Sequence, residues 1–336
     1  MAYEYLLDME PLLIQVELTE ACNLMCRFCY NSQKPCYNQH IYEMLDTLAG
    51  QGIMQLTLTG GEPLMHPEFF TILEKAVKLF PNVMILSNGS LMNDEAVQKI
   101  SNSNVMSVSI SIHGDEATHE HLTKVPGSYS QSMHAIETYL KIGKVPVASN
   151  FVLNKYNRSS LEKTAYVFKD MGLQFMTITR FVPVGIGKSA YELEITREDM
   201  VNAMEFANRF MSENDKPHIE FAEAVPFYAI PGHLQHLANT CSYGYDRFYV
   251  DVNGNMMVCG LTRIPLGGNI LEKPIIEIKK NSSVYQAYIH NEHVPQACVY
   301  CNLFDNCHGG CRASAMKDGN WKQTYDSMCP KRQGEE

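Results

Sequence analysis

Cys22, Cys26 and Cys29 stand in the stretch Thr19-Glu-Ala-Cys-Asn-Leu-Met-Cys-Arg-Phe-Cys-Tyr30. Three residues separate the first two cysteines and two separate the second and third. Thiolates at this spacing can hold three irons of a cubane cluster and leave the fourth iron without a protein ligand. An open coordination position is where chemistry happens, as at catalytic zinc, whose three protein ligands leave room for a substrate. A zinc knuckle, or a disulfide with a spare thiol, is the bland reading of the same triad. Zinc wants a fourth ligand at close spacing, and the nearest candidates are Cys36 and His40.

A second set lies in the C-terminal third: Cys241, Cys259, Cys298, Cys301, Cys307, Cys311 and Cys329. Its dense part reads Cys298-x2-Cys301-x5-Cys307-x3-Cys311. Seven thiols are too many for one cluster and suit two iron–sulfur clusters or, on spacing alone, two zinc sites. A loop-rich module of this kind gains much of its stability from metal ligation.

The elements that must position these groups are legible from periodicity. Short apolar runs at about 12–18, 53–59, 83–87, 105–111, 145–153 and 174–181 read as strands. Helical stretches lie between them, at about 37–50, 67–80, 93–101, 129–142 and 159–171. Pro67 suits a first helical turn, and Asn93 and Ser159 suit N-caps. Six βα units in series imply an α/β fold with a parallel sheet, open or curled into a partial barrel. Ligands gather at the C-terminal ends of such strands, and the triad directly follows the first. After about residue 187 the pattern changes. Thr196 opens a helix running to about residue 212, and a mixed bridge follows. Runs at 248–252 and 255–258 flank Asn253-Gly254, a hairpin turn signal.

Composition narrows the function classes. A chain of 336 residues suggests about two domains at ~150 residues each. A net charge of −10 argues against nucleic acid as a partner. No apolar run approaches the ~18 residues of a membrane span, and the N-terminus lacks the features of a signal peptide. A cytoplasmic location is expected. Eleven cysteines in such a chain point to metal or redox chemistry more than to disulfides.

Taken together, the two cysteine sets resemble radical S-adenosylmethionine enzymes that carry a SPASM domain. The likeness covers about residues 11–330, and the triad with Tyr30 behind it matches the family hallmark. It implies a partial (β/α)6 barrel at 11–187, a helical bridge at 188–235, and a cysteine-rich, loop-rich iron–sulfur domain at 236–336. Thr59-Gly-Gly-Glu-Pro63 looks like the motif that binds the amino group of the methionine moiety, with Gly60 and Gly61 baring the backbone and Glu62 meeting the ammonium. Ser87 and Asn88 stand where the family contacts ribose and carboxylate. Ser111 stands where it faces the cofactor, and Asn154 and Arg180 are further candidates. One departure is visible: where the family commonly has Ser-Ile-Asp-Gly, this chain has Ser111-Ile-His-Gly114. A loop histidine with satisfied hydrogen bonds is the plain reading of His113.

The resemblance also implies cofactors and partners. A catalytic [4Fe-4S] cluster on Cys22, Cys26 and Cys29 would hold S-adenosylmethionine, whose reductive cleavage yields a 5′-deoxyadenosyl radical. Cys298, Cys301, Cys307 and Cys329 would hold a distal auxiliary cluster, and Cys241, Cys259 and Cys311 a proximal one. No eighth cysteine stands near Cys241, so the proximal cluster would have an open iron or a ligand such as Asp246. Cys36 is left over. An electron donor such as flavodoxin or ferredoxin is implied. SPASM enzymes most often modify peptides or proteins, so oxidative crosslinking of a ribosomally made peptide leads. Oxidation or epimerisation of a small molecule, including a tetrapyrrole or a sugar, is the alternative, and a non-catalytic iron–sulfur redox protein is the contrasting class. Only about ten residues precede the first strand, so a separate protein would supply any leader recognition.

Overall fold

The strands alternate. Ser107-Val-Ser-Ile-Ser111 is the plainest case, with its valine and isoleucine buried and its serines half-buried. A parallel strand covered by hydrophobic packing on both faces would read as a continuous apolar run. Alternation therefore means that one face of this sheet meets something polar.

The computed structural model describes residues 4–316 and 320–333. Seven parallel strands follow in order: β1 (Leu13–Glu17), β2 (Gln55–Thr59), β3 (Asn82–Ser87), β4 (Ser107–Ser111), β5 (Val147–Leu153), β6 (Phe175–Arg180) and β7 (His218–Phe221). Helices α1 (Ile41–Ala49), α2 (Phe69–Leu79), α3 (Asp94–Ser101), α4 (Glu116–Thr123), α5 (Ser128–Ile142), α6 (Leu161–Met171) and α7 (Arg197–Glu213) connect or follow them. The outer face of the sheet carries Ile14, Val16, Leu56, Leu58, Ile85 and Ile110, all fully buried in the main core. The inner face carries Gln15, Thr57, Met84, Ser109, Asn150 and Thr177, which all line one cavity of about 760 Å³. Strands β1 to β6 can share a cavity only if the sheet curves around it, so the open sheet is a partial barrel.

The C-terminal part joins this sheet. β8 (Arg247–Val250) pairs in parallel with β1, Leu13 against Arg247 and Val16 against Val250. β8 and β9 (Asn255–Met257) form the expected hairpin, and β10 (Pro265–Asn269) completes a ten-stranded sheet. Asp251 holds the Asn253-Gly254 turn by accepting from the amides of Asn253 and Asn255, both at 2.9 Å. Helices α8 (Ile275–Asn281) and α9 (Ser283–Ile289) pack on β10.

Several expectations need correction. α1 begins at Ile41 rather than near 37, because Tyr37 is held in an extended bridge to Thr19. Pro67 precedes α2 instead of sitting in its first turn; Pro63 opens a short 3-10 turn there. Asn93 caps α3 by accepting from the Ala96 amide, as read. Ser159 does not cap α6; it lies inside a 3-10 turn at Arg158–Ser160. α4 gives no apolar period in the sequence, because its buried face is only His119, Leu122 and Thr123. The bridge also contains β7, whose four residues are too few to show periodicity.

Candidate active site

The triad loop leaves the C-terminal end of β1 and is fastened on three sides. From the β2 side, the amides of Gly61 and Glu62 donate to the carbonyls of Thr19 and Ala21 at 2.7 and 2.8 Å. A Cβ on Gly60 would stand 2.2 Å from the Thr19 carbonyl oxygen, and one on Gly61 would stand 2.2 Å from that of Ala21. Only glycine permits this approach, because a side chain would overlap the backbone of the loop. From the α4 side, the carbonyls of Thr123 and Leu122 accept from the amides of Met25 and Arg27, both at 3.0 Å. From the segment after β6, the Gly187 amide donates to the Cys29 carbonyl at 2.9 Å. Gly185-Ile-Gly187 adds a functional contact to the site, and paired glycines after a strand are the sequence signal of such a close approach.

Cys22, Cys26 and Cys29 all face the cavity. Burial, and then the neighbouring thiols, push Cys26 far up, and burial raises Cys22 to about 11. Backbone amides offset this in part: Leu24 donates to the Cys22 sulfur and Asn31 to the Cys29 sulfur, both at 3.4 Å. Buried thiols with amide donors are poised to be deprotonated by a metal. Among the described residues, no three Cys, His, Asp or Glu side chains converge on a single ion. Zinc requires that convergence, at about 2.3 Å to each thiolate. A cubane does not, because each thiolate takes a different iron. The triad therefore fits a cluster better than a zinc ion.

The second cysteine set divides in space. Cys298, Cys301, Cys307 and Cys329 line a small recess of about 20 Å³. Cys241, Cys259 and Cys311 line the same large cavity as the triad. This is the four-and-three division that the resemblance implies. Asp246 does not line that cavity. Neither does Cys36; its carbonyl instead anchors the Thr19 hydroxyl at 2.6 Å.

The remaining candidates divide as well. Tyr30, Gly60, Gly61, Ser87, Asn88 and Ser111 line the cavity. The Asn88 amide group donates to Asn23 at 2.9 Å and approaches the Cys22 sulfur at 3.8 Å. Glu62 is a correction. Its carboxylate is fully buried and accepts from the Ser87 hydroxyl at 2.8 Å, the Asn88 amide at 2.7 Å and the Leu64 amide at 3.2 Å. It clamps the ends of β2 and β3 and does not line the cavity. Asn154 is a second correction: it accepts from the Tyr156 amide, donates to the Val152 carbonyl, and does not reach the cavity. Arg180 is a third. It borders the cavity, but its guanidinium is held by both oxygens of buried Asp326 and by the Ala224 carbonyl.

Tertiary structure adds groups that local sequence does not reveal. Fully buried Glu17, at the end of β1, accepts from Arg263 at 2.8 Å and from Asn31 at 2.7 Å. The salt bridge spans 246 residues and ties the C-terminal part to the triad loop. Glu223, just past β7, lines the cavity and accepts from the Arg180 amide at 3.0 Å; burial raises it to about 7. His113 and His119 stack with ring centroids 5.5 Å apart. The Val152 amide donates to Nδ1 of His113 and the His113 amide to Nδ1 of His119, each at 3.2 Å, so both rings carry their proton on Nε2. Burial keeps both neutral, lowering His119 to about 4. His113 is thus a loop histidine with a satisfied Nδ1.

Residues 16–165 match the family model described as the Radical SAM superfamily. This chain carries a Radical SAM domain. Its C-terminal part is cysteine-rich. An AdoMet-dependent heme synthase of Methanosarcina barkeri is 27% identical over 330 residues, covering 91% of this chain and 92% of that protein. The sporulation killing factor maturation protein SkfB of Bacillus subtilis is 28% identical over 288 residues, covering 82% of this chain and 66% of that one. The crystal structure of Streptococcus suis SuiB bound to precursor peptide SuiA superposes with a TM-score of 0.78 at 16% identity, covering 96% of this chain and 76% of that chain. That last likeness is one of fold. A Radical SAM domain implies S-adenosylmethionine and a [4Fe-4S] cluster as cofactors. Among the described residues, no helix is long and apolar enough to cross a membrane.

Proposed function

We propose that this radical SAM enzyme oxidatively modifies a ribosomally made peptide, forming a thioether or carbon–carbon crosslink. The observation that carries this reading is the shared cavity. The triad and the Cys241, Cys259 and Cys311 set open on one space of about 760 Å³. When bound, the triad cluster and S-adenosylmethionine supply a primary carbon radical that removes a hydrogen atom from the substrate. Auxiliary clusters on the four-cysteine and three-cysteine sets would serve the second oxidation. The roles of this chain's own residues follow from their placement. Gly60 and Gly61 fix the triad loop against β2, Glu62 holds Ser87 and Asn88 at the rim, and Ser109, Ser111 and Asn150 offer neutral hydrogen bonds to a bound chain.

Charge separates a peptide from a tetrapyrrole. A tetrapyrrole bears several carboxylates and calls for free cations. The cavity is lined by Arg180, Arg247 and Arg312, with no lysine. Arg180 is paired with Asp326, and Arg312 is spent on the carbonyls of His293, Thr324 and Gly309. Arg247 lies over the Tyr243 ring at 5.5 Å and is the one of the three with neither an ion pair nor a carbonyl partner among the described residues, a single cation where several carboxylates would need more. Walls that are largely apolar, with scattered serines and Asn150 and with Glu220 and Glu223 among them, suit a peptide better than a polycarboxylate. SkfB, a maturation protein by name, and the fold shared with a structure holding a precursor peptide lend support. The full-length match to a heme synthase keeps the tetrapyrrole reading as the alternative. A separate leader-recognition protein belongs to the peptide reading.

The test is direct. The reduced, reconstituted protein is incubated with S-adenosylmethionine and with each short peptide that a search of the neighbouring reading frames supplies. We expect 5′-deoxyadenosine and a peptide lighter by two hydrogens. The Cys22→Ala/Cys26→Ala/Cys29→Ala variant should yield neither, while retaining iron at the other sites. Consumption of an iron porphyrin with the peptide untouched would overturn the peptide reading.

A further inference from the structure

The turn after β3 reads Ser87-Asn88-Gly89-Ser90 and comes against the triad loop. Glu62 accepts from the Asn88 backbone amide at 2.7 Å, and the Asn88 carbonyl accepts from the Ser132 hydroxyl at 2.6 Å. Gly89 lets the chain turn here: its φ is 79°, and a Cβ on it would stand 2.6 Å from the Ile110 side chain. With the backbone fixed in this way, the Asn88 side chain closes a ring with Asn23 and Ser90. Its Oδ1 accepts from the Ser90 amide at 2.8 Å and from the Ser90 hydroxyl at 2.7 Å. Its Nδ2 donates to Asn23 Oδ1 at 2.9 Å, and Asn23 Nδ2 donates to the Ser90 hydroxyl at 2.8 Å. The direction of this ring is fixed. A backbone amide can only donate, so the Ser90 amide holds the Asn88 oxygen on its own side and leaves the NH2 group on the other. One N–H goes to Asn23, and the second is directed at the Cys22 sulfur, 3.8 Å from the nitrogen.

We infer that Asn88 is a positioning residue for the triad: its second N–H is a fixed donor to the Cys22 thiolate and makes a cluster held there easier to reduce. Reduction adds one electron from an external reductant to the cluster, and no covalent bond forms or breaks. The added negative charge spreads onto the thiolate sulfurs, so a donor at sulfur stabilises the reduced cluster more than the oxidised one. The Leu24 amide donates to the same sulfur at 3.4 Å, from the loop's own backbone. Asn88 adds a donor from the end of a different strand, and this one can be exchanged by substitution. A ring that served only to brace the turn would need no N–H on sulfur. The role is separate from the cofactor contact that the resemblance gives Asn88, and it holds whichever substrate the cavity takes.

Two charge-matched variants of the full chain test it. Asn88→Asp keeps the oxygen that faces Ser90 and puts an acceptor where the NH2 group stood; Asn23 can turn its amide over to meet it, so the ring closes in the other sense. Asn23→Asp places the same charge in the residue after Cys22 and leaves the Asn88 N–H on the sulfur. The potential of the triad cluster is measured by electrochemical titration without S-adenosylmethionine, following the paramagnetic resonance signal that this cofactor perturbs when added afterwards. Asn88→Asp should make reduction about tenfold less favourable, about 59 mV more negative for one electron, as loss of a charge-assisted hydrogen bond would. Asn23→Asp should shift the potential less. An unchanged potential in Asn88→Asp overturns the inference. So does a shift no larger than that of Asn23→Asp, which would make the effect one of charge alone. Loss of the triad's iron from Asn88→Asp alone counts for the bond, and loss from Asn23→Asp counts against it, because that variant keeps the donor.

Discussion

Glu62 shows how one buried residue can support a cavity wall without lining the cavity itself. Its two oxygens accept from Ser87, Asn88 and Leu64, so the carboxylate joins the ends of two strands. Glu62→Gln keeps the shape but turns an amide NH2 toward groups that are themselves donors. A buried donor without an acceptor costs about 1–3 kcal/mol, and we expect a loss of stability of that order with weaker S-adenosylmethionine binding through displaced Asn88. The pH dependence has a definite sign. Burial raises Glu62 from 4.5 to about 7 against the hydrogen bonds that pull it down. Between these values the folded chain holds the proton and the unfolded chain does not, so this group's contribution falls as pH rises. Glutamine has no such slope. The gap in melting temperature between wild type and variant should therefore narrow from pH 5 to pH 8. A constant gap would mean that the carboxyl is ionised throughout.

The strand ends and loops carry the same lesson one level up. The β2 end and the triad loop are zipped by backbone hydrogen bonds, and the two glycines make that contact possible. Gly60 also has φ of 148°, a conformation that side chains rarely adopt. Gly60→Ala should push the triad loop off β2. The outer-face core does not involve this position, so the variant should fold, with its circular dichroism kept, and fail to retain the triad's iron. A variant with full iron content and cleavage activity would return the Gly-Gly turn to a merely local role. The inner faces of β4 and β5 make the complementary point. Ser107, Ser109, Ser111 and Asn150 are polar because they face a cavity, and that alternation is readable without coordinates.

At the scale of the molecule, the C-terminal part completes the barrel sheet. Phe248, Tyr249 and Val250 of β8 are fully buried, and β8 covers the edge of β1, the strand that leads into the triad. The Glu17–Arg263 and Arg180–Asp326 salt bridges add two buried charged links between the halves. Removing one partner of such a pair leaves an unpaired buried charge, at about 3–5 kcal/mol each. A chain ending at residue 235 would lose both partners and expose the β1 edge. We expect it to aggregate rather than behave as an independent barrel, as size-exclusion chromatography would show. A soluble, monomeric fragment would make residue 236 an autonomous domain boundary.

The sequence by itself determined the chemistry class and most of the architecture. Cysteine spacing is local, and a loop of eight residues holds its thiols together whatever the rest of the chain does. Strand and helix periods are local as well, so β1 to β6 were legible, as were the cap at Asn93 and the helix that Thr196 opens, though not the start of α6, where Ser159 does not cap. What only tertiary structure decided is which side chains face the cavity and which are already engaged. Glu62, Asn154 and Arg180 have the right types at the right strand ends, yet each is satisfied by partners that folding supplies. Asp326 meets Arg180 across 146 residues, and Arg263 meets Glu17 across 246. No period in the chain encodes such a meeting. It arises because a buried charge must find its opposite, and the fold determines which one is within reach.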